Sequence, residues 1–352
     1  MAQFEPHNRK KVIANREAPA IFSVSVLLLA VCLCACLIST SALAASTTNE
    51  TSQPTSTPLP SGVAQSRDLL GNTATAIGTG LDSLFGTPDT SRSNRSSLIF
   101  RTGILFDDVD ASSLFNSISF RADLPSTAER LELFVRAQRE DNIGDVEGTS
   151  VNNTVDNDLT RRSIESGDAG LFLRLIKDIP GTQWQNILDT GFTADGLDIE
   201  FISYLRFSRN YQYKRWQLQP EPTIIWGPEN GLGIGFNLHG QTRLGTDTTL
   251  QSSTHVTHYF DSGTNYYSHG GNLINHLSPD LRASYNVRVF SDSEADSTLD
   301  TLELSASLRR RIHDNWLFFS VIPASRHKSD NDYQRDFSIT VQFEAKFGPR
   351  YE

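Results

Sequence analysis

The histidines and serines of the carboxyl-terminal half are the first residues to test for chemistry. The chain has eight histidines, and His255 with His258, then His269 with His276, lie close enough in sequence to invite a metal site. Each pair is separated by an odd number of residues. On a regular strand its members point to opposite faces and cannot share an ion. They read instead as exposed polar residues near strand ends. A hydrolytic nucleophile needs a base within reach and a third group to orient that base. Ser268-His269 and Ser253-Thr254-His255 supply the residue types without a diagnostic spacing. Gly231-Leu232-Gly233-Ile234-Gly235 superficially matches a dinucleotide fingerprint, but its apolar positions alternate and no helical pattern follows. It reads as a strand with small residues on one side. No catalytic, cofactor-binding or metal-ligating set emerges. A membrane-embedded hydrolase acting on lipid or peptide stands as an alternative reading, with Ser268 and His269 as the residues to test.

All three cysteines, Cys32, Cys34 and Cys36, fall in a segment that reads as an export signal. Arg9, Lys10, Lys11 and Arg16 precede an apolar run from Ala20 to Ile38, and Ala42-Leu43-Ala44 offers the small side chains that a signal peptidase admits. Cleavage after Ala44 is expected. Its rivals are an uncleaved membrane anchor and lipidation at Cys36 within Leu33-Cys34-Ala35-Cys36. Without residues 1–44 the chain has no thiol, hence no disulfide, thiolate nucleophile or thiolate-bound zinc. Their removal takes four Lys/Arg and two Asp/Glu, moving the formal charge from −10 to −12. Such acidity excludes a nucleic-acid binder, which needs a basic face for phosphates.

The remaining charges follow a pattern of period two that begins near residue 98. In the last segment Phe337, Ile339, Val341, Phe343, Ala345 and Phe347 share one face, and Ser338, Thr340, Gln342, Glu344 and Lys346 share the other. Ile118 to Leu124, Leu131 to Val135, Leu232 to Leu238, Leu281 to Val289 and Leu302 to Leu308 repeat the division. Fourteen such segments run from 98–105 to 335–347; fusing the weakest pairs gives twelve. Many span about ten residues, the length of a tilted membrane strand. Tight connections such as Pro180-Gly181-Thr182, Ser278-Pro279-Asp280 and His313-Asp314-Asn315 alternate with longer ones at 139–167, 292–298 and 325–334. Trp184, Trp216, Trp226, Trp316, Tyr266 and Tyr267 sit near strand ends, where amphipathic rings settle at a membrane interface.

These features predict an all-β chain: an antiparallel transmembrane β-barrel of about 12–14 strands over residues 98–348, with a tail at 349–352. A flexible amino-terminal segment, 45–97, precedes it. Residues 46–66 are rich in Ser, Thr and Pro. Residues 68–86 carry a weak helical periodicity, broken by Gly71, Gly78 and Gly80, that fits either a short periplasmic helix or a plug in the barrel. A soluble periplasmic β-protein would alternate in the same way and is the competing fold.

Asn315-Trp316-Leu317-Phe318-Phe319, a polar loop, and Phe337 to Gly348 resemble the closing hairpin of a family of uncharacterised proteobacterial outer-membrane barrel proteins. The resemblance extends loosely back to Arg121-Ala122-Asp123-Leu124-Pro125 and covers about two thirds of the chain. It implies residence in the outer membrane of a Gram-negative bacterium, with outer-membrane lipid and the barrel-assembly machinery as partners. Phe337, Ile339, Val341, Phe343 and Phe347 resemble the carboxyl-terminal insertion signal, although Gly348-Pro349-Arg350-Tyr351-Glu352 follow the last phenylalanine.

In a membrane barrel, charges confined to one face line the lumen, because Arg at the lipid midplane costs roughly 2–4 kcal/mol. The expected lumen-lining residues are Arg121, Glu132, Arg136, Glu200, Arg206, Arg282, Arg288, Glu303, Arg309 and Glu344, with Arg215, Glu221 and Arg311 on the same polar faces. Their mixed signs fit a narrow hydrophilic passage for small solutes or a lumen packed with ion pairs in a structural envelope component. No cofactor is implied.

Overall fold

A computed structural model of the chain describes residues 61–83, 94–108, 112–124, 130–139, 169–195, 198–228, 231–293 and 299–349. The expected export signal, Cys36, the acidic 140–167 segment, the Pro125-Ser126-Thr127 turn and the last three residues lie outside these.

Helix α1 (Ser61–Asp82) precedes a run of strands: β1 (Ser97–Asp107), β2 (Ser113–Leu124), β3 (Arg130–Arg139), β4 (Ala169–Asp178), β5 (Trp184–Asp195), β6 (Asp198–Arg209) and the three-residue β7 (Tyr211–Tyr213). They continue as β8 (Trp216–Gly227), β9 (Gly231–Arg243), β10 (Thr248–Tyr259), β11 (Asn265–Ser278), β12 (Leu281–Asp292), β13 (Thr301–His313), β14 (Leu317–Lys328) and β15 (Arg335–Phe347). Each long strand pairs antiparallel with its sequence neighbours. β1 also pairs with β15, from Leu98↔Phe347 to Asp107↔Ser338, and β6 pairs with β8. The sheet therefore closes as a barrel of fourteen long strands, with β7 as a short hairpin on β8.

Closure is least extensive where the sequence explains it. The β6–β8 ladder holds four register pairs, Ser203↔Trp226 to Arg206↔Thr223, and stops immediately before Pro222. Pro220 and Pro222 have no N–H to donate, so that half of β8 pairs with β9 on one side and β7 on the other.

Alternation along each strand divides the wall into two faces. On β15, Phe343 is 47% exposed while its neighbour Glu344 is 3% exposed. Leu114 and Ile118 on β2, Leu171 on β4, Phe192 on β5, Ile234 and Phe236 on β9 and Tyr285 and Val287 on β12 are exposed outward. The opposite face carries Arg174, Asp189, Arg206, Glu221, Glu303, Arg309 and Glu344, all buried. An apolar exterior that is exposed, backed by a buried polar interior, inverts the arrangement of a soluble sandwich. Among the described residues no helix is long and apolar enough to cross a membrane. The strands are the spanning elements.

The ends of the barrel differ. Connections at 179–183, 244–247, 279–280 and 314–316 lie at the end where the first and last strands meet, here the terminal end. Pro180-Gly181 makes one of them, with Gly181 at φ +74°, a conformation that a turn with Pro in its first central position asks of its second. The opposite, loop end carries the 260–264 and 329–334 connections.

Helix α1 lies on the outer wall at the terminal end, contacting β2, β1 and β15. It does not plug the lumen: Leu81 packs on Ala122, Leu124 and Leu131, which share the outward face with exposed Ile118 and Val135. Gly78 makes the seat. A Cβ there would collide with Ser96 Oγ, so only glycine lets the helix come this close.

Candidate functional site

The inward face is organised into two charged groups. The larger crosses six strands of one wall. On β4 and β5, Arg174 Nε donates to Asp189 Oδ1 at 2.6 Å and Nη2 to Oδ2 at 3.0 Å, a two-pronged pair set by the register Arg174↔Asp189. Arg206 Nη2 on β6 donates to Asp189 Oδ2, the oxygen that Arg174 Nη2 also reaches, and its Nη1 lies 3.6 Å from Glu221 Oε1 on β8. Asn237 on β9 donates to Glu221 at 3.4 Å and joins its amide oxygen to His255 Nδ1 on β10. His255 Nε2 meets Thr257 Oγ1 at 2.6 Å. Two cations face two carboxylates, so this ladder is formally neutral. One rung toward the loop end, inward Phe172, Ile202, Tyr204 and Ile225 pack together beside Phe134 and Tyr259.

Thr257, His255 and Asn237 stand in the order of hydroxyl, imidazole and orienting amide. Thr257 is 2% exposed, which leaves no approach for a substrate carbonyl to its hydroxyl. Ser268 and His269 point to opposite faces: Ser268 is buried inward, and His269 is exposed outward, bonded through Nδ1 to Thr254 Oγ1 at 2.8 Å. His255 and His258 also occupy opposite faces, as their odd spacing requires; His258 bonds Asn265 at 3.0 Å.

The second group surrounds Glu344 near the terminal end. Arg101 Nε donates to Glu344 Oε2 at 2.7 Å across the β1–β15 seam, Arg309 donates to Oε1, and Lys346 Nζ lies 3.4 Å from Oε1. Arg282 on β12 stands opposite Arg309 on β13. The Arg309 guanidinium also lies over the Phe318 ring, 4.0 Å from its centroid, and Lys346 is 5.5 Å from the same ring. Four cations thus gather around one carboxylate.

The other residues expected to line the lumen take these positions. Arg121 on β2 holds both oxygens of Glu132 on β3 at 2.5 Å and lies 4.9 Å from the Phe134 ring. Glu303 on β13 stands opposite Arg288 on β12 and 3.6 Å from Arg326 on β14. Glu200 is on the inward side of β6, at even spacing from Arg206. The backbone of Arg136 pairs with Ser119 and Gly170, and its side chain lies outside the described residues. Arg311 pairs with Asp280 at 2.6 Å at the terminal end. Arg215 departs from the expectation: it is exposed in the turn between β7 and β8, because the short β7 hairpin shortens the strand assumed to hold it. On β15, Phe337, Ile339, Val341, Phe343 and Phe347 share the outward face.

Sequence reasoning missed Arg101, Arg174, Asp189 and Asn237, and it took His255 for an exposed residue near a strand end. His255 is 4% exposed and lies within the ladder. Parity along β10 was the available signal. Among the described residues one group has the spacing of a cation site: Asp107, Asp108 and Asp336 place carboxylate oxygens within 4.8 Å of one another at the loop end. Asp108 already accepts the Phe337 backbone N–H at 3.1 Å, so the triad also ties β1 to β15 there.

No protein-family model matches the sequence, and no curated protein matches it. Solved structures similar in shape include the outer membrane channel DcaP of Acinetobacter baumannii, at 8% identity and TM-score 0.45, covering 74% of this chain and 99% of that one. A loop-deleted OmpT, an outer membrane protein of Vibrio cholerae, aligns at 7% identity and TM-score 0.45 over 72% and 99%. A porin refined at 1.8 Å aligns at 11% identity and TM-score 0.41 over 72% and 100%. Placement in a membrane follows from this barrel's own surface.

Proposed function

We propose that this chain is an integral outer-membrane β-barrel that passes small hydrophilic solutes, with a preference for anions. The observation that carries the reading is the closed ring of fourteen long strands with its apolar face exposed and its charged face turned in. Backbone groups can cross hydrocarbon only in helices or closed barrels, and here the β1–β15 and β6–β8 pairings close the sheet on itself. Outward Phe, Leu, Ile and Val suit acyl chains, whereas the inward arginines and carboxylates need water or one another. Interiors of about eight strands are filled by side chains, and about sixteen strands enclose an aqueous channel. Fourteen strands approach the second case. Four cations around Glu344 supply the positive field that draws anions into a passage.

Phe337, Ile339, Val341, Phe343 and Phe347 form the outward stripe that the barrel-assembly machinery would read. The Gram-negative outer membrane is the compartment that holds barrels of this kind.

Two measurements on the full chain test the reading. Unboiled protein should migrate faster on gels than boiled protein, as a closed barrel does; identical migration contradicts the barrel. Reconstituted into a planar bilayer, the same heat-modifiable protein should conduct in KCl. A heat-modifiable protein in a silent bilayer would retain the barrel and remove the pore.

A further inference from the structure

We propose that α1 is an interfacial anchor whose apolar edge is embedded among the acyl chains of the inner leaflet, beside the barrel wall. The proposal rests on the membrane placement above, with the short connections of the terminal end on the periplasmic side as in membrane barrels generally, and concerns a surface which that reading does not use.

α1 presents three different faces. Gly71, Ala74 and Gly78 lie against the wall: Ala74 is 2% exposed, a Cβ on Gly71 would sit 3.5 Å from Gly348 N, and Gly78 covers Ser96. Leu70, Ala74, Ile77 and Leu81 follow at spacings of four, three and four, an apolar stripe along one edge. Asp68, Asn72, Thr75 and Thr79 follow at the same spacings along the other edge. Leu81 packs on the wall, but Leu70 and Ile77 are 38% and 48% exposed, and Leu69 projects further out at 66%.

Two contacts orient these edges relative to the barrel. Gly78 sits over Ser96, while the next residue, Thr79, accepts a hydrogen bond from Asn94 Nδ2 at 3.3 Å. Asn94 precedes Ser96 and lies further out beyond the start of β1, so the Thr79 edge faces away from the middle of the barrel. With about 3.6 residues per turn, Ile77 departs from Gly78 in the opposite direction. The Ile77 edge therefore faces the outward apolar band of β1 and β2, where Phe100, Ile104 and Ile118 are exposed. The exposed leucines and isoleucine extend this band sideways at the terminal end, and Asp68, Asn72 and the threonines face the periplasmic water. A helix with one apolar and one polar edge lies in the interface in this way. Acyl chain is the occupant that the continuous band fits.

Spin-label accessibility tests the proposal in the full chain carrying Cys32→Ala, Cys34→Ala and Cys36→Ala, reconstituted in phosphatidylethanolamine and phosphatidylglycerol vesicles. Labels at Leu70→Cys and Ile77→Cys should collide preferentially with oxygen, and labels at Asn72→Cys and Thr79→Cys with a water-soluble nickel chelate. A label at Phe343→Cys on the barrel wall serves as the reference. If Phe343→Cys reports lipid while Ile77→Cys reports water, the anchor is wrong and the barrel stands. If Phe343→Cys itself reports water, the membrane placement fails and the anchor with it. Spin–spin broadening between copies at Leu70→Cys and Ile77→Cys would make the occupant a second helix and also overturn the proposal.

Discussion

The Asp189 ladder and the Glu344 cluster are built from the same residue types on the same inward face, yet their charge balance differs. In the ladder Arg174, Asp189, Arg206 and Glu221 alternate in sign from strand to strand, and the register Arg174↔Asp189 puts the two opposite charges directly across from each other. Around Glu344 the register sets Arg101 directly across from the carboxylate but also sets Arg282 against Arg309, with Lys346 beside them. Paired buried charges contribute little net stability but are costly to break. A group in which one sign predominates contributes a field. In the proposed reading the ladder is a latch across the wall and the Glu344 cluster is a filter.

The largest expected effect comes from breaking the latch. Arg206→Ala leaves Asp189 and Glu221 short of a shared cation, and urea unfolding in vesicles should show a loss of about 3–5 kcal/mol. A loss below about 1 kcal/mol would mean that the ladder is hydrated and loosely held. The next effect tests the wall behind the filter. Phe343→Arg should cost about 2–4 kcal/mol in the same assay, whereas Gln342→Arg, one residue away on the inward face, should cost little. Equal costs would contradict the assignment of faces. A smaller effect, on selectivity rather than stability, follows from Arg309→Gln combined with Lys346→Gln. The double variant should conduct with a weaker anion preference, whereas Asp189→Asn with Arg174→Gln should leave selectivity near that of the parent. The smallest effect is expected at α1. Gly78→Leu should lift the helix from Ser96 and expose the chain near Arg67 to trypsin, while barrel stability changes by less than about 0.5 kcal/mol.

The strands and their faces were legible because a wall between lipid and water imposes period two on every segment it contains. Ile118 to Leu124 and Phe337 to Phe347 display it without interruption. The ladder was less legible because its segments are less regular. Asp189 sits in Gln185-Asn186-Ile187-Leu188-Asp189-Thr190, where polar and apolar residues fall in blocks; in the Glu344 cluster, Arg101 directly follows the apolar run from Leu98 to Phe100. Its partner Glu344 is 243 residues away, joined to it only by barrel closure. The short β6–β8 ladder could be read from Pro220 and Pro222, since neither has an N–H to donate to a neighbour. The position of α1 could not be read, because the glycines that weaken its helical propensity are the residues that fit the wall. Tertiary contact decides that element.

Reversal potential across a planar bilayer in a KCl gradient tests the central claim most directly, since it reads both the water-filled lumen and the sign of its field. The unmodified chain should give a potential of the sign set by chloride carrying more of the current than potassium. A cation-selective current, or a reversal potential of zero, would contradict a passage controlled by the cations around Glu344.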